Sequence, residues 1–228
     1  MNQKIVIGLS GGMDSATLLG TYLEQGLEVI CCSFKYGSKH EVYELQAATQ
    51  IVDFYNSSKK YKHCIHYIID LRQPFLIFKS NLLKTGEEIP EGHYQEESMR
   101  KTVVPGRNLI IASFLAGIAE SIDAKLIGLG VHAGDHHIYP DCRPGFIASL
   151  RNTLRDSTEG KVHIVTPFLD WTKADILKFG YSFSLPVPYY LTRTCYKDQE
   201  SACGKCGSCR ERLEAFEYIG IKDPVNYE

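Results

Sequence analysis

The chain has 228 residues, 44% hydrophobic and 23% charged, a globular composition that excludes a wholly disordered or fibrous protein. Its 25 basic and 27 acidic residues leave a formal charge of −2, without the basic surplus of a protein that wraps a nucleic acid, so no direct nucleic-acid contact is expected. No apolar run reaches membrane-spanning length and the stretch 5–9 is too short for a signal-peptide core, so a soluble, cytoplasmic protein without membrane contact is expected.

Apolar β-branched runs alternate with helical patterns, the rhythm of a parallel sheet with crossover helices. Residues 4–9 read as a buried first strand. Residues 15–25 read as a helix with Leu18, Leu19, Tyr22 and Leu23 on one face and Gly26 at its end. Strands are predicted over 28–34 and 63–69, flanking a helix over 40–55 whose stripe is Leu45, Ala48, Val52 and Tyr55. The polar segment 80–104 reads as a long loop over the sheet edge. A mostly apolar, and therefore buried, helix is expected over 107–120, with the fourth and fifth strands over 125–131 and 162–166. Thr172 and Asp175 approximate a capping box that starts a short helix. Pro186 and Pro188 then break the pattern, and a last helix is expected after Cys209. The expected fold is α/β, a doubly wound parallel sheet over residues 1–185 followed by a small metal-binding knob over 186–228.

The strongest chemical signal is Ser10-Gly11-Gly12-Met13-Asp14-Ser15 between the first strand and first helix. The glycines let backbone N–H groups approach an anion, the two serines add donors, and the helix dipole presents its positive end. Asp14 fits beside phosphates only when a cation such as Mg²⁺ lies between them. A plain glycine-rich turn is the bland alternative, and the run matches neither a Walker loop nor a Gly-x-Gly-x-x-Gly turn. It resembles the pyrophosphate loop of the N-type ATP pyrophosphatases.

Cys195, Cys203, Cys206 and Cys209 fall within fifteen residues. Four thiolates make a closed tetrahedral shell, which points to one structural Zn²⁺ per chain; the iron–sulfur alternative lacks the downstream Cys-Pro of a ferredoxin pattern. Cys31, Cys32 and Cys64 read as core residues. Cys142 beside Arg143 invites a nucleophile reading, which the chemistry below does not require. His132, His136 and His137 do not match a zinc-enzyme spacing and read as loop histidines lining the pocket.

Three further segments carry a narrower resemblance: Phe34-Lys35-Tyr36-Gly37-Ser38-Lys39-His40, then residues 90–108 ending Pro105-Gly106-Arg107-Asn108, then Tyr139-Pro140-Asp141-Cys142-Arg143-Pro144-Gly145-Phe146. With the cysteine spacing, they resemble the 7-cyano-7-deazaguanine synthase family from Lys4 to about Phe216. One departure is that the family's Asp-Tyr-Gly-Gln-Arg-His run here reads Lys35-Tyr36-Gly37-Ser38-Lys39-His40. The resemblance implies an adenine nucleotide α-hydrolase-like fold, a homodimer, and a ligase using ATP, Mg²⁺, ammonia and the small molecule 7-carboxy-7-deazaguanine. It places ATP on Leu9, Ser10, Gly11, Gly12, Met13, Asp14, Ser15, Ala16, Thr17, Leu18 and Leu19, with Lys39 and His40. Asp14, Arg107 and Lys173 are the candidate catalytic residues, against surface roles for the last two. Arg107, Asn108, Tyr139, Asp141 and Arg143 are the candidate substrate residues, with Asp141 accepting from a deazaguanine N1–H and amino group or serving only as a turn residue. Two other readings stay open: an enzyme that joins the activated deazaguanine to a protein amine or thiolates tRNA, and a non-catalytic, zinc-containing nucleotide-binding module. Near-neutral charge weighs against tRNA.

Overall fold

In the computed structural model, which describes residues 3–228, five strands make one parallel sheet. They are β1 Lys4–Gly8, β2 Glu28–Lys35, β3 Ile65–Asp70, β4 Leu126–Gly128 and β5 His163–Val165, in the order β3-β2-β1-β4-β5. The first two residues of the expected main domain lie outside the described part. Alternate side chains of a strand face opposite sides. Ile5 and Ile7 therefore enter one core with Leu18, Leu19 and Leu177, while Val6 enters the other with Ile30, Leu115 and Ile127. A strand covered on both faces needs an apolar residue at every position, which is why β1 shows no polar alternation. Because β1 pairs with β2 on one side and β4 on the other, the winding direction reverses beside it. A crevice forms at the carboxyl ends of strands at such a reversal.

The described residues hold seven helices: α1 Met13–Glu24, α2 Glu41–Ser57, the single turn α3 Arg72–Phe75, α4 Arg107–Ser121, α5 Pro144–Ser157, α6 Lys173–Tyr181 and α7 Gly207–Tyr218. The capping box of α6 is present, Asp175 N donating to Thr172 Oγ1 at 3.2 Å and Thr172 N to Asp175 Oδ2 at 3.0 Å. Four expectations need correction. First, α1 starts two residues early, because Gly12 is extended and the helix opens directly on Met13. Second, α4 is not buried all round: it turns only Asn108, Ala112, Leu115, Ala116 and Ala119 fully inward, and leaves Leu109 and Phe114 exposed.

Third, no element is expected between the fourth and fifth strands, where α5 lies. Proline in a first helical turn is compatible with a helix, and Ile147, Leu150 and Leu154 supply the buried stripe. Last, α7 begins at Gly207 with Cys206 as its cap, so Cys209 lies inside its first turn. Segment 80–104 also does more than cover an edge. It contains a 3₁₀ turn, Glu97–Thr102, and reaches the cysteines through a bridge between Glu91 and Cys206.

The last helix is tied to the tail by a buried ion pair. Arg212 donates to both carboxylate oxygens of Asp223, at 2.7 and 2.9 Å, and also to Thr192 Oγ1 at 2.7 Å and Tyr189 O at 3.0 Å. Removing one partner of such a pair strands the other charge away from water. Arg212→Met is therefore expected to lower unfolding stability by about 3–5 kcal/mol, measured by urea denaturation; a loss within the error of the wild-type curve would show the pair to be dispensable. Among the described residues no helix is long and apolar enough to cross a membrane.

Candidate active site

The crevice at the end of β1 is lined by the loop that leaves that strand, by Leu129, Gly130 and Val131 after β4, and by residues of α4, α6 and α7. Gly11 has φ +84° and sits so close to α2 that a Cβ would lie 2.4 Å from Glu44 O, so glycine is required there by both conformation and space. No side chain caps α1, and its first turn presents Gly12, Asp14 and Ser15 to the cavity. The amides that begin a helix have no partner within it. The serines are pre-arranged around this turn: Ser10 Oγ lies 3.1 Å from Ser15 Oγ, and Gly12 N donates to Ser10 Oγ at 3.2 Å. The result is a concave group of donors at the positive end of a helix, suited to an anion.

Lys173, the first residue of α6, projects across the cavity toward Asp14. Its Nζ is 3.4 Å from Asp14 Oδ2 and 2.7 Å from Glu211 Oε2. Burial opposes its charge, but Asp14, Glu211 and Asp135 outweigh that and hold its pKa above the ordinary lysine value. His132 is also buried here, with Nε2 3.7 Å from Asp14 Oδ2 and 3.5 Å from Asp135 Oδ2. Burial works against its protonation, yet Asp135, Asp14 and Glu211 raise its pKa overall. For Asp135, burial and the nearby Glu211 push the carboxyl up while His132 pulls it down, and the upward effects win. One oxygen stands out: Asp14 Oδ1 is buried without a hydrogen-bond partner. An unpaired buried carboxylate oxygen is costly, and it is what a hard cation takes as a ligand.

The other wall holds Arg107 and Asn108, the first residues of α4, with Tyr36, Cys142 and Tyr196. Burial pushes the Cys142 thiol well up, and Asn108 Nδ2 lies 3.2 Å from its sulfur, so this is a neutral thiol and not an activated nucleophile. Asp141 is not on the cavity: its Oδ2 accepts from Asn108 N at 2.9 Å, so it caps α4 and holds Asn108 in place. Arg143 is exposed and donates to His136 O at 2.8 Å, closing the turn before α5. Tyr139 stands behind the wall, its hydroxyl 2.9 Å from Thr102 Oγ1 and 3.1 Å from Tyr196 OH.

The nucleotide candidates divide in the same way. Leu9, Ser10, Gly12, Asp14, Ser15 and His40 line the cavity. Gly11 turns against α2, while Met13, Ala16, Leu18 and Leu19 are core residues and Thr17 Oγ1 donates to Met13 O and lies 2.8 Å from Tyr189 OH. Lys39 faces a separate groove, where it donates to Glu87 O. Of the three histidines, only His132 lines the cavity. Arg193, Thr194, Ser208 and Glu211 also line it. Glu211 could have been found from its place one turn before Ala215 and Phe216 on the inward face of α7. Arg193 had no pattern to betray it: its N–H donates to Gly11 O at 2.8 Å, and its guanidinium reaches the carbonyls of Lys197, Gln199 and Glu200.

About the four C-terminal cysteines the geometry is closed. Their sulfur atoms lie within 4.8 Å of one another and all four residues are buried, so they can hold a metal ion. Backbone N–H groups point at the sulfurs, Cys203 N at Cys195 Sγ (3.4 Å) and Cys206 N at Cys203 Sγ (3.3 Å). Hydrogen bonds from Cys206 and Cys209 pull the Cys195 thiol far below its ordinary pKa. Gly204 takes φ +66° as the turn requires, whereas Gly207 packs closely, since a Cβ there would lie 3.1 Å from Tyr94 Cα.

The model of the family described as queuosine biosynthesis protein QueC matches residues 4–220. A 7-cyano-7-deazaguanine synthase of Pseudoalteromonas translucida is 44% identical over the whole of both chains. One from Caldicellulosiruptor saccharolyticus is 42% identical, covering 99% of this chain and 96% of its own. Among solved structures, NMN synthetase from Francisella tularensis aligns with a TM-score of 0.50 at 14% identity, covering 97% of this chain and 79% of its own, a likeness of fold alone.

Proposed function

The chain belongs to the QueC family, and from that premise we propose that it is an ATP-dependent ligase converting 7-carboxy-7-deazaguanine and ammonia into 7-cyano-7-deazaguanine. Ammonia cannot displace oxide from a carboxylate, so the acid is first activated. A carboxylate oxygen attacks the α-phosphorus of ATP and pyrophosphate leaves; ammonia then displaces AMP to give the amide. The amide oxygen attacks a second ATP in the same way. Loss of AMP and both N–H protons leaves the nitrile.

Two rounds of phosphoryl chemistry at one site call for positioning and charge neutralisation. In this reading the first turn of α1, with the hydroxyls of Ser10 and Ser15, cradles the pyrophosphate, and Lys173 neutralises charge from the far side. The observation that carries the reading is the unpartnered Asp14 Oδ1 beside that uncapped turn. Asp14 is the residue that would hold Mg²⁺, which supplies neutralisation of the departing phosphates. Arg107 and Asn108 face the acid, and Asp141 acts one step removed by anchoring Asn108. Cys195, Cys203, Cys206 and Cys209 would hold one structural zinc. Tetrahedral Zn–S bonds of about 2.3 Å place sulfurs about 3.8 Å apart, which suits the 4.0 Å between Cys203 Sγ and Cys209 Sγ.

The same proposal divides the chain into an ATP-using unit over 1–185 and a metal-organised segment over 186–228. It makes the protein a cytoplasmic homodimer with small-molecule substrates. Ile65, Tyr67, Ile68, Leu76 and Ile77, exposed on β3 and just beyond it, offer an apolar surface for the second copy. The test is direct. Incubated with the carboxy-deazaguanine, ATP, Mg²⁺ and ammonium, the protein is expected to form the nitrile by mass spectrometry, with two AMP per nitrile. AMP without nitrile, or no turnover at all, would overturn the reading.

A further inference from the structure

A second, much smaller cavity abuts the main one. Its volume is about 20 Å³, room for a single molecule the size of water. Asp135, Tyr196, Ser208 and Glu211 line both cavities, so whatever sits in the small one meets the large one across these four side chains. Tyr139 supplies a further hydroxyl, and Met99 and Ile138 close the apolar side. Asp135 and Glu211 are the charged side chains that line it; Lys173 and His132 pair with these carboxylates from the side of Asp14, and Arg107 lies over the Tyr139 ring at 6.0 Å.

We propose that this small cavity is the subsite for the nitrogen donor, bound as the ammonium ion. The inference rests on the ligase reading above. Ammonium is as small as water but carries a positive charge and four N–H donors with no lone pair, so it is matched by acceptors converging from several sides. Two carboxylates and the tyrosine and serine hydroxyls provide such acceptors. A water molecule would gain less from the two lining carboxylates, and a larger amine would not fit. The location answers a chemical need as well. An acyl-adenylate is open to hydrolysis, and a nitrogen already held at the wall of the main cavity reaches the acyl carbon without competing from bulk water. On release an N–H bond breaks, the Asp135 carboxylate takes the proton, the freed lone pair attacks the acyl carbon as the acyl–phosphate C–O bond breaks, and the second surplus proton leaves with the AMP phosphate.

Steady-state kinetics with ammonium varied at saturating ATP and acid test the assignment. Asp135→Asn is expected to raise the KM for ammonium at least tenfold and to leave the KM for ATP within twofold. Met99→Ala enlarges the cavity and is expected to admit methylammonium, detected by mass as the N-methyl amide, which the wild-type protein does not make. An unchanged ammonium KM in a folded Asp135→Asn protein, or equal rises for ammonium and ATP, would overturn the subsite. Should that variant fail to fold, exclusion of methylammonium by Met99→Ala overturns it instead. A wild-type protein that makes no nitrile at any ammonium concentration would defeat the ligase reading itself, a distinct result.

Discussion

Asp14→Ala is expected to cut pyrophosphate release by about 10²–10³-fold, the scale seen when a group that stabilises charge in a transition state is removed. The fold should survive. Asp14 Oδ1 has no partner to lose, and Lys173 keeps its 2.7 Å contact with Glu211. A burst of AMP in a single-turnover assay separates a chemical defect from slow release of product, and an unchanged melting temperature excludes misfolding. Turnover within tenfold of wild type would remove Asp14 from the phosphate chemistry. Asp14→Asn, which keeps the shape but weakens the cation ligand, should be nearly as inactive.

Metal removal is expected to act on folding first. Apparent binding energies of structural zinc run to about 10–16 kcal/mol in small peptides, comparable with or above the whole stability of a domain, about 5–15 kcal/mol. Cys206 is both a candidate ligand and the cap of α7, and α7 carries Glu211 and Arg212. Cys206→Ser should therefore collapse soluble yield, with residual activity following the folded fraction, and elemental analysis of the wild-type protein should find one zinc per chain. Iron with visible thiolate absorption, or a metal-free protein of full stability, would defeat the assignment. Retained stability with activity gone would transfer the metal from scaffold to chemistry.

The positions of the strands along the chain and the loop after β1 were readable because both are written in short-range pattern: a run of β-branched residues, then serines and glycines at a strand-to-helix junction. The cysteine cluster was readable from spacing alone. Asp141 was misplaced for a physical reason. A carboxylate in a turn beside a sheet edge satisfies a ligand and a helix N-terminus equally well, and only coordinates show that Asn108 N claims it. Leu18 and Leu19 follow the loop in sequence but face the core, since a helix turns its side chains away from the ligand within one turn. Glu211 and Arg193 come from a segment almost two hundred residues after the loop they serve, and that proximity is a property of topology. Helix α5 was hidden because its prolines and glycine are as good for a helix start as for a loop.

Gly12 stands where serine, asparagine or aspartate would cap α1, a change that ordinarily stabilises a helix by roughly a few tenths of a kcal/mol over glycine. Any such side chain would supply an acceptor from within and compete with an incoming phosphate for one of the free amides. The protein without nucleotide is thus held below the stability its fold permits, and the deficit is refunded only when an anion docks. Ligand at a hundred times its Kd adds about 2.7 kcal/mol to a folded state. The melting temperature of this chain is therefore expected to rise with ATP concentration, and Gly12→Ser is expected to shrink that rise.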